Sequence, residues 1–104
     1  MIRDSMAPRR MPPGEAEAIA IQALGFIAGD GELLPRFLAL TGIEAADIRA
    51  AAQQRGFLAG VLAFILAHEP TLMAFASAAD LKPEQVAAAH RALPMGDDSH
   101  ERST

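Results

Sequence analysis

Slid against itself by 38 residues, the sequence aligns positions 19–51 with 57–89 without a gap, and seven of the 33 pairs are identical. They are Leu24 with Leu62, Phe26 with Phe64, Ile27 with Ile65, Leu34 with Leu72, Phe37 with Phe75, and Ala50 and Ala51 with Ala88 and Ala89. Four further pairs agree in kind: Ile19 with Phe57, Ala23 with Val61, Ile43 with Leu81, and Ile48 with Val86. A sequence unit that recurs at such a period is a supersecondary element that buries its apolar face against its neighbour. A unit of about 38 residues is also too small to hold a core alone. The register therefore predicts two similar halves sharing one core and related by a pseudo-twofold, with Phe26, Ile27, Phe64 and Ile65 in contact at its centre. The competing reading is that two Ala-rich helical segments align through a common periodicity, which gives about three or four identities at ordinary residue usage.

Each half reads as three helices. β-branched residues are few and scattered, and apolar and polar residues nowhere alternate for long, so no strand is expected. Helix one is placed at Glu15 to Ala28 with Gly29 as its stop, and helix two at Glu32 to Thr41 with Gly42 as its stop. Pro35 is tolerated in helix two only within the first turn. Helix three is placed at Ala45 to Gln54 before Gly56, and helix four at Phe57 to His68, apolar on nearly every side as a buried central helix would be. Helix five opens at Pro70 and runs to Ala79, and helix six lies between Pro83 and Leu93. Ile43 with Ile48, and Leu81 with Val86, have the spacing of hydrophobic staples at the two third-helix starts. Gly25 and Gly29, on one face with Ala18 and Gln22, suit a close approach of another helix.

The expected architecture is thus all-α, a compact bundle of about six short helices. Residues 15–55 form the first half and 56–95 the second, with a Pro- and Arg-rich tail at 1–14 and an acidic tail at 96–104. The length of 104 residues fits one domain.

Composition serves mainly to exclude. Hydrophobic residues make up 51% of the chain, but 23 of them are Ala and only 5% of the chain is aromatic. There is no Cys, which removes disulfides, thiolate metal clusters and a cysteine nucleophile. Nine Lys plus Arg against 13 Asp plus Glu give a formal net charge of -4, contrary to the basic face of a nucleic-acid binder. The longest apolar run, Phe57 to Ala67, falls short of the ~20 residues that span a bilayer. No secretory signal pattern appears, so the expected setting is cytoplasmic, with no membrane partner.

Catalytic patterns are thin. His68-Glu69 starts like a zinc-protease H-E-x-x-H motif, but Leu72 stands where the second His belongs. His68 is better read as a helix C-terminal His beside the next helix start, an end that suits cations. His90 and His100 look unrelated to it. The carboxylate pairs Glu15/Glu17, Asp30/Glu32 and Asp97/Asp98 fall at helix starts or in a tail, where capping or solvation explains them. Thr71 and Ser77 are the only hydroxyls of the last three helices, and no His-acid pair is placed by sequence to activate them. Gly25-Phe26-Ile27-Ala28-Gly29-Asp30-Gly31 lacks the G-K-[ST] ending of a phosphate loop. No catalytic, cofactor-binding or metal-binding residue is assigned, no cofactor is implied, and no enzyme activity is expected.

The run Leu33-Leu34-Pro35-Arg36-Phe37-Leu38-Ala39-Leu40-Thr41-Gly42-Ile43, with Phe57-Leu58, Phe64-Ile65-Leu66 and Leu72-Met73-Ala74-Phe75, resembles a small bacterial family catalogued as a domain of unknown function, the 3572 family. The resemblance covers about residues 15–95 and rests on apolar framework positions. It implies a bacterial intracellular helical protein and carries over no functional residue.

Two functions remain open. The first is a non-catalytic helical interaction or adaptor module, acting on an unidentified protein partner through a groove between its halves or by self-association. The alternative is a nucleic-acid-binding regulator using segment 45–55, with Arg49, Gln53, Gln54 and Arg55, together with the N-terminal Arg9-Arg10 arm. Charge makes that alternative the weaker one.

Overall fold

The computed structural model describes residues 11–94, and these form an all-α bundle. Six helices follow one another: α1 (Pro13–Ala28), α2 (Leu33–Thr41), α3 (Ile48–Ala51, led in by a 3₁₀ turn at Ala45–Asp47), α4 (Phe57–Leu66), α5 (Glu69–Ala79) and α6 (Pro83–Ala92). No strand occurs among the described residues.

α1 begins two residues earlier than the sequence suggested. Pro13 occupies its first turn, where a missing N–H costs nothing, and the Pro12 carbonyl accepts the amides of Glu15 (3.0 Å) and Ala16 (3.1 Å). Met11 packs against the core, so the tail expected at 1–14 gives up its last residues to the domain. The rest of that tail, and the acidic tail at 96–104, lie outside the described residues.

The buried stripe of α1 is Ala16, Ile19, Ala20, Ala23 and Ile27, the spacing of one helical face. Three of these are Ala with no exposed surface, so neighbouring backbones can come close. α1, α4 and α6 pack pairwise, with Val61, Leu62 and Ile65 from α4 and Val86 and Ala89 from α6 buried beside that stripe. α5 lies on α4 and α6, and α2 lies on α1. The centre thus includes α6 as well as the expected α1 and α4.

The Phe arrangement departs from expectation. Ile27 and Ile65 are fully buried, but the rings pair as Phe26 with Phe75 (centroids 5.5 Å apart) and Phe64 with Phe37 (5.3 Å), not as Phe26 with Phe64. Phe37 also meets Phe57 edge-on at 6.1 Å. Phe37 of α2 thus reaches a ring on α4, and Phe75 of α5 reaches a ring on α1.

Three other expectations are corrected. The third helix shrinks from 45–54 to one 3₁₀ turn and one α turn, because Ile48 and Ala51 are only half-buried and no wider apolar face holds the segment. α4 is not buried all round: Gly60, Ala63 and Ala67 are exposed, and a Cβ on Gly60 would meet no atom within 4 Å. The Ala18, Gln22, Gly25 and Gly29 face of α1 likewise receives no helix, since all four are exposed and a Cβ on Gly25 would meet nothing within 4 Å.

Candidate functional site

The two sharp corners of the fold, α1 into α2 and α4 into α5, bend by 112° and 111°. They lie beside each other and leave a cleft of about 200 Å³ between them. One wall holds Asp30, Glu32, Leu33 and Arg36, the other holds His68, Pro70, Thr71 and Ala74, and the half-buried ring of Phe26 lines it as well.

Asp30 is fixed by local structure. Its carboxylate Oδ1 accepts the backbone amides of Glu32 (2.8 Å) and Leu33 (2.9 Å), while its carbonyl accepts the amide of Leu34 at 3.2 Å. It is in effect the N-cap of α2, as its acidic character at a helix start suggested. The Glu32 and Leu33 amides hold its carboxyl below the ordinary carboxylate value, against a small opposing effect of burial. Pro35 then falls in the first turn of α2, where it is tolerated.

His68 does not lie in the last turn of α4. α4 has ended at Leu66, and His68 takes the extended N-cap position of α5, with its carbonyl accepting the amide of Leu72 at 3.0 Å. Its Nδ1 shares a hydrogen bond of 2.7 Å with the Thr71 hydroxyl. Thr71 is the buried polar residue among the described residues, at 7% exposure, and this bond gives its hydroxyl a partner. Sequence reasoning missed the pairing. The signal was an i to i+3 His-x-x-Thr across a helix start, the spacing at which an N-cap side chain meets the third helical residue.

Chemically the cleft offers a guanidinium from Arg36, one exposed carboxylate from Glu32, and an imidazole whose Nε2 is not engaged by any described hydrogen bond. Among the described residues no three of His, Cys, Asp and Glu gather as a metal site. Ser77 is exposed on α5, His90 rides in the last turn of α6, and Glu15 lies in the first turn of α1. None of these joins the cleft. Glu17 lines a second cleft of about 180 Å³, with the segment Ala52 to Gly56, Leu93 and Pro94. Asp97, Asp98 and His100 lie outside the described residues. No single helix among those described is long and apolar enough to cross a membrane.

A family model described as "Protein of unknown function (DUF3572)" matches residues 13–96, which includes every helix described above. The chain belongs to the DUF3572 family. The resemblance drawn from the apolar framework is therefore correct, and the match extends slightly further at both ends than residues 15–95. Neither a curated protein nor a solved structure matches the chain. For this DUF3572 protein, function has to be argued from the cleft and the surfaces around it.

Proposed function

We propose that this DUF3572 protein is a non-catalytic helical module that binds another protein across the cleft between its two corners. The observation that carries the reading is how the cleft walls continue. On α2, Leu40 stands one turn beyond Arg36 on the same face and is 71% exposed. On α5, Met73 stands one turn beyond Pro70 and is 50% exposed. Two large apolar side chains thus flank a polar, mixed-charge groove, the pattern of apolar anchors beside orienting polar groups seen at protein contacts.

A catalytic reading finds less support. Asp30 spends its carboxylate on two backbone amides and so is not free to orient an imidazole, and the Thr71 hydroxyl that pairs with His68 belongs to a residue only 7% exposed. Nucleic-acid binding through segment 45–55 finds less support as well. Only Arg49 lies on α3, while Gln53, Gln54 and Arg55 follow it in a turn, so they do not ride on one recognition helix.

The test is affinity capture from extract of the native cell, comparing the wild-type protein with a Leu40→Glu/Met73→Glu variant. A polypeptide retained by the first and lost by the second supports the proposal. Recovery of nothing, or of the same set by both, overturns it. Light scattering covers self-association: a dimer that the same substitutions dissolve assigns this face to a second copy of the chain.

A further inference from the structure

We infer that residues 19–51 and 57–89 are two copies of one three-helix unit, folded together about a pseudo-twofold axis that runs through the cleft. Sequence identity alone left this open. Backbone geometry at the 38-residue register goes much further, because it does not depend on which apolar side chain happens to sit where.

Helix ends coincide. α1 ends at Ala28 and α4 at Leu66, α2 ends at Thr41 and α5 at Ala79, and the third segments start at Ala45 and Pro83. Each of these pairs is 38 residues apart. The backbone hydrogen bonds at the corners keep the same register. The Gly29 amide reaches the Gly25 carbonyl at 2.9 Å, and Ala67 reaches Ala63 at 3.0 Å. Asp30 reaches Ile27 at 3.1 Å, and His68 reaches Ile65 at 3.4 Å. Leu34 reaches Asp30 at 3.2 Å, and Leu72 reaches His68 at 3.0 Å. Asp47 reaches Glu44, and Gln85 reaches Lys82, both at 2.8 Å. The two left-handed residues that end α2 and α5, Gly42 (φ 77°) and Asp80 (φ 61°), keep the register too, although the Gly42 amide reaches Leu38 and the Asp80 amide reaches Ser77.

Tertiary contacts follow. An axis that exchanges the copies turns Phe26 into Phe64 and Phe75 into Phe37. It therefore turns the Phe26–Phe75 contact into the Phe64–Phe37 contact, and the two centroid distances, 5.5 and 5.3 Å, agree. The cleft straddles the axis, because its walls are Asp30 and His68, Glu32 and Pro70, Leu33 and Thr71, Arg36 and Ala74, four pairs in register. None of these four pairs is identical, although the framework around them is. That difference puts Asp30, Glu32 and Arg36 on one wall and His68, Pro70, Thr71 and Ala74 on the other, on the same backbone.

The symmetry is broken at the third helix. α6 packs on α1 and α4 with Val86 and Ala89 fully buried, whereas their counterparts Ile48 and Ala51 are half-buried on a four-residue helix. α1 is also longer than α4 at its start, by the residues Pro13 to Ala18, and α5 starts two residues earlier in the register than α2, at Glu69 against Leu33.

The test copies the first wall onto the second. In the full chain carrying His68→Asp, Pro70→Glu, Thr71→Leu and Ala74→Arg, equivalence of the copies requires the new carboxylate at position 68 to accept the amides of positions 70 and 71, as Asp30 accepts those of Glu32 and Leu33. Amide exchange at position 71, read by NMR, is expected to slow by about tenfold or more relative to wild type. A folded variant with no slowing there overturns the inference. Should the variant not fold, the wild-type protein decides: cross-ring NOEs for both Phe26–Phe75 and Phe37–Phe64 support the pseudo-twofold, and the absence of either one overturns it.

Discussion

Asp30 and Asp80 each sit at the end of a helix, and they act on stability in opposite directions. Asp30 accepts two amides at the start of α2, and those bonds favour its ionised form in the folded state. Its folded value is lowered from 3.8, so its contribution is present above 3.8 and is lost as pH falls through the lower folded value. Asp30→Asn keeps an oxygen acceptor but no charge. The melting temperature of the wild type is expected to fall more steeply than that of the variant between about pH 5 and about pH 3; equal slopes would assign the acid sensitivity elsewhere. Asp80 holds φ at 61°, a left-handed conformation in which a β-carbon is crowded. Asp80→Gly is expected to stabilise by about 0.5–1 kcal/mol, and Gly42→Ala, at φ 77°, to destabilise by about 1 kcal/mol, both read by thermal melting. A lowered melting point for Asp80→Gly would show that the carboxylate makes a compensating contact. At this scale the capping role of Asp30 is legible from an acidic residue at a helix start. The His68–Thr71 bond was missed because attributing His68 to the end of α4 overlooked the two-residue step that hands it to α5.

Most helices could be placed from the sequence because each is punctuated by Gly or Pro and carries an apolar stripe. α2, α4, α5 and α6 each begin and end within two residues of expectation. The third helix was overextended because its Ala and Gln residues favour helix locally, whereas its length depends on tertiary burial that only half-covers Ile48 and Ala51. The cleft was less legible than the helices, since a bend angle between two helices is set by corner backbone and not by periodicity. Among the elements, α2 has one wholly buried side chain, with Leu33, Leu34 and Leu38 only partly covered beside it. Phe37 is 1% exposed and touches the rings of Phe57 and Phe64 on α4, and no other α2 residue is fully buried. Phe37→Ala is therefore expected to cost about 3–5 kcal/mol, with amide exchange rising first throughout α2. A variant melting within a few degrees of wild type would mean that α2 is held by its corner alone.

At the scale of the whole molecule, the decisive fact is that α6, from the C-terminal half, packs on α1 from the N-terminal half as well as on α4. The fully buried residues of these three helices form one cluster, so no cut at the Ala52 to Gly56 turn leaves either side with a core of its own. A shared core was legible from the length of either half, which is too short to fold alone. That α6 and not α3 completes it was not, because both segments are Ala-rich and each places a β-branched apolar residue, Ile48 or Val86, at the same register position. Sharing has a thermodynamic consequence. Two halves with separate cores would melt separately, but here loss of either half exposes Ile27, Leu62 and Ile65 together, each wholly buried in the fold. Burial of one such side chain is worth about 1.5–3 kcal/mol, a large part of the stability of a domain this size, so a half-melted state is too costly to accumulate. Calorimetry is expected to show a single transition with calorimetric and van't Hoff enthalpies in a ratio of about one. Leu62→Ala should lower the protection of α1 and α6 amides equally, although Leu62 belongs to neither helix. Two resolved transitions, or protection lost from α6 while α1 keeps its own, would show that the halves are independent and that the shared core does not govern folding.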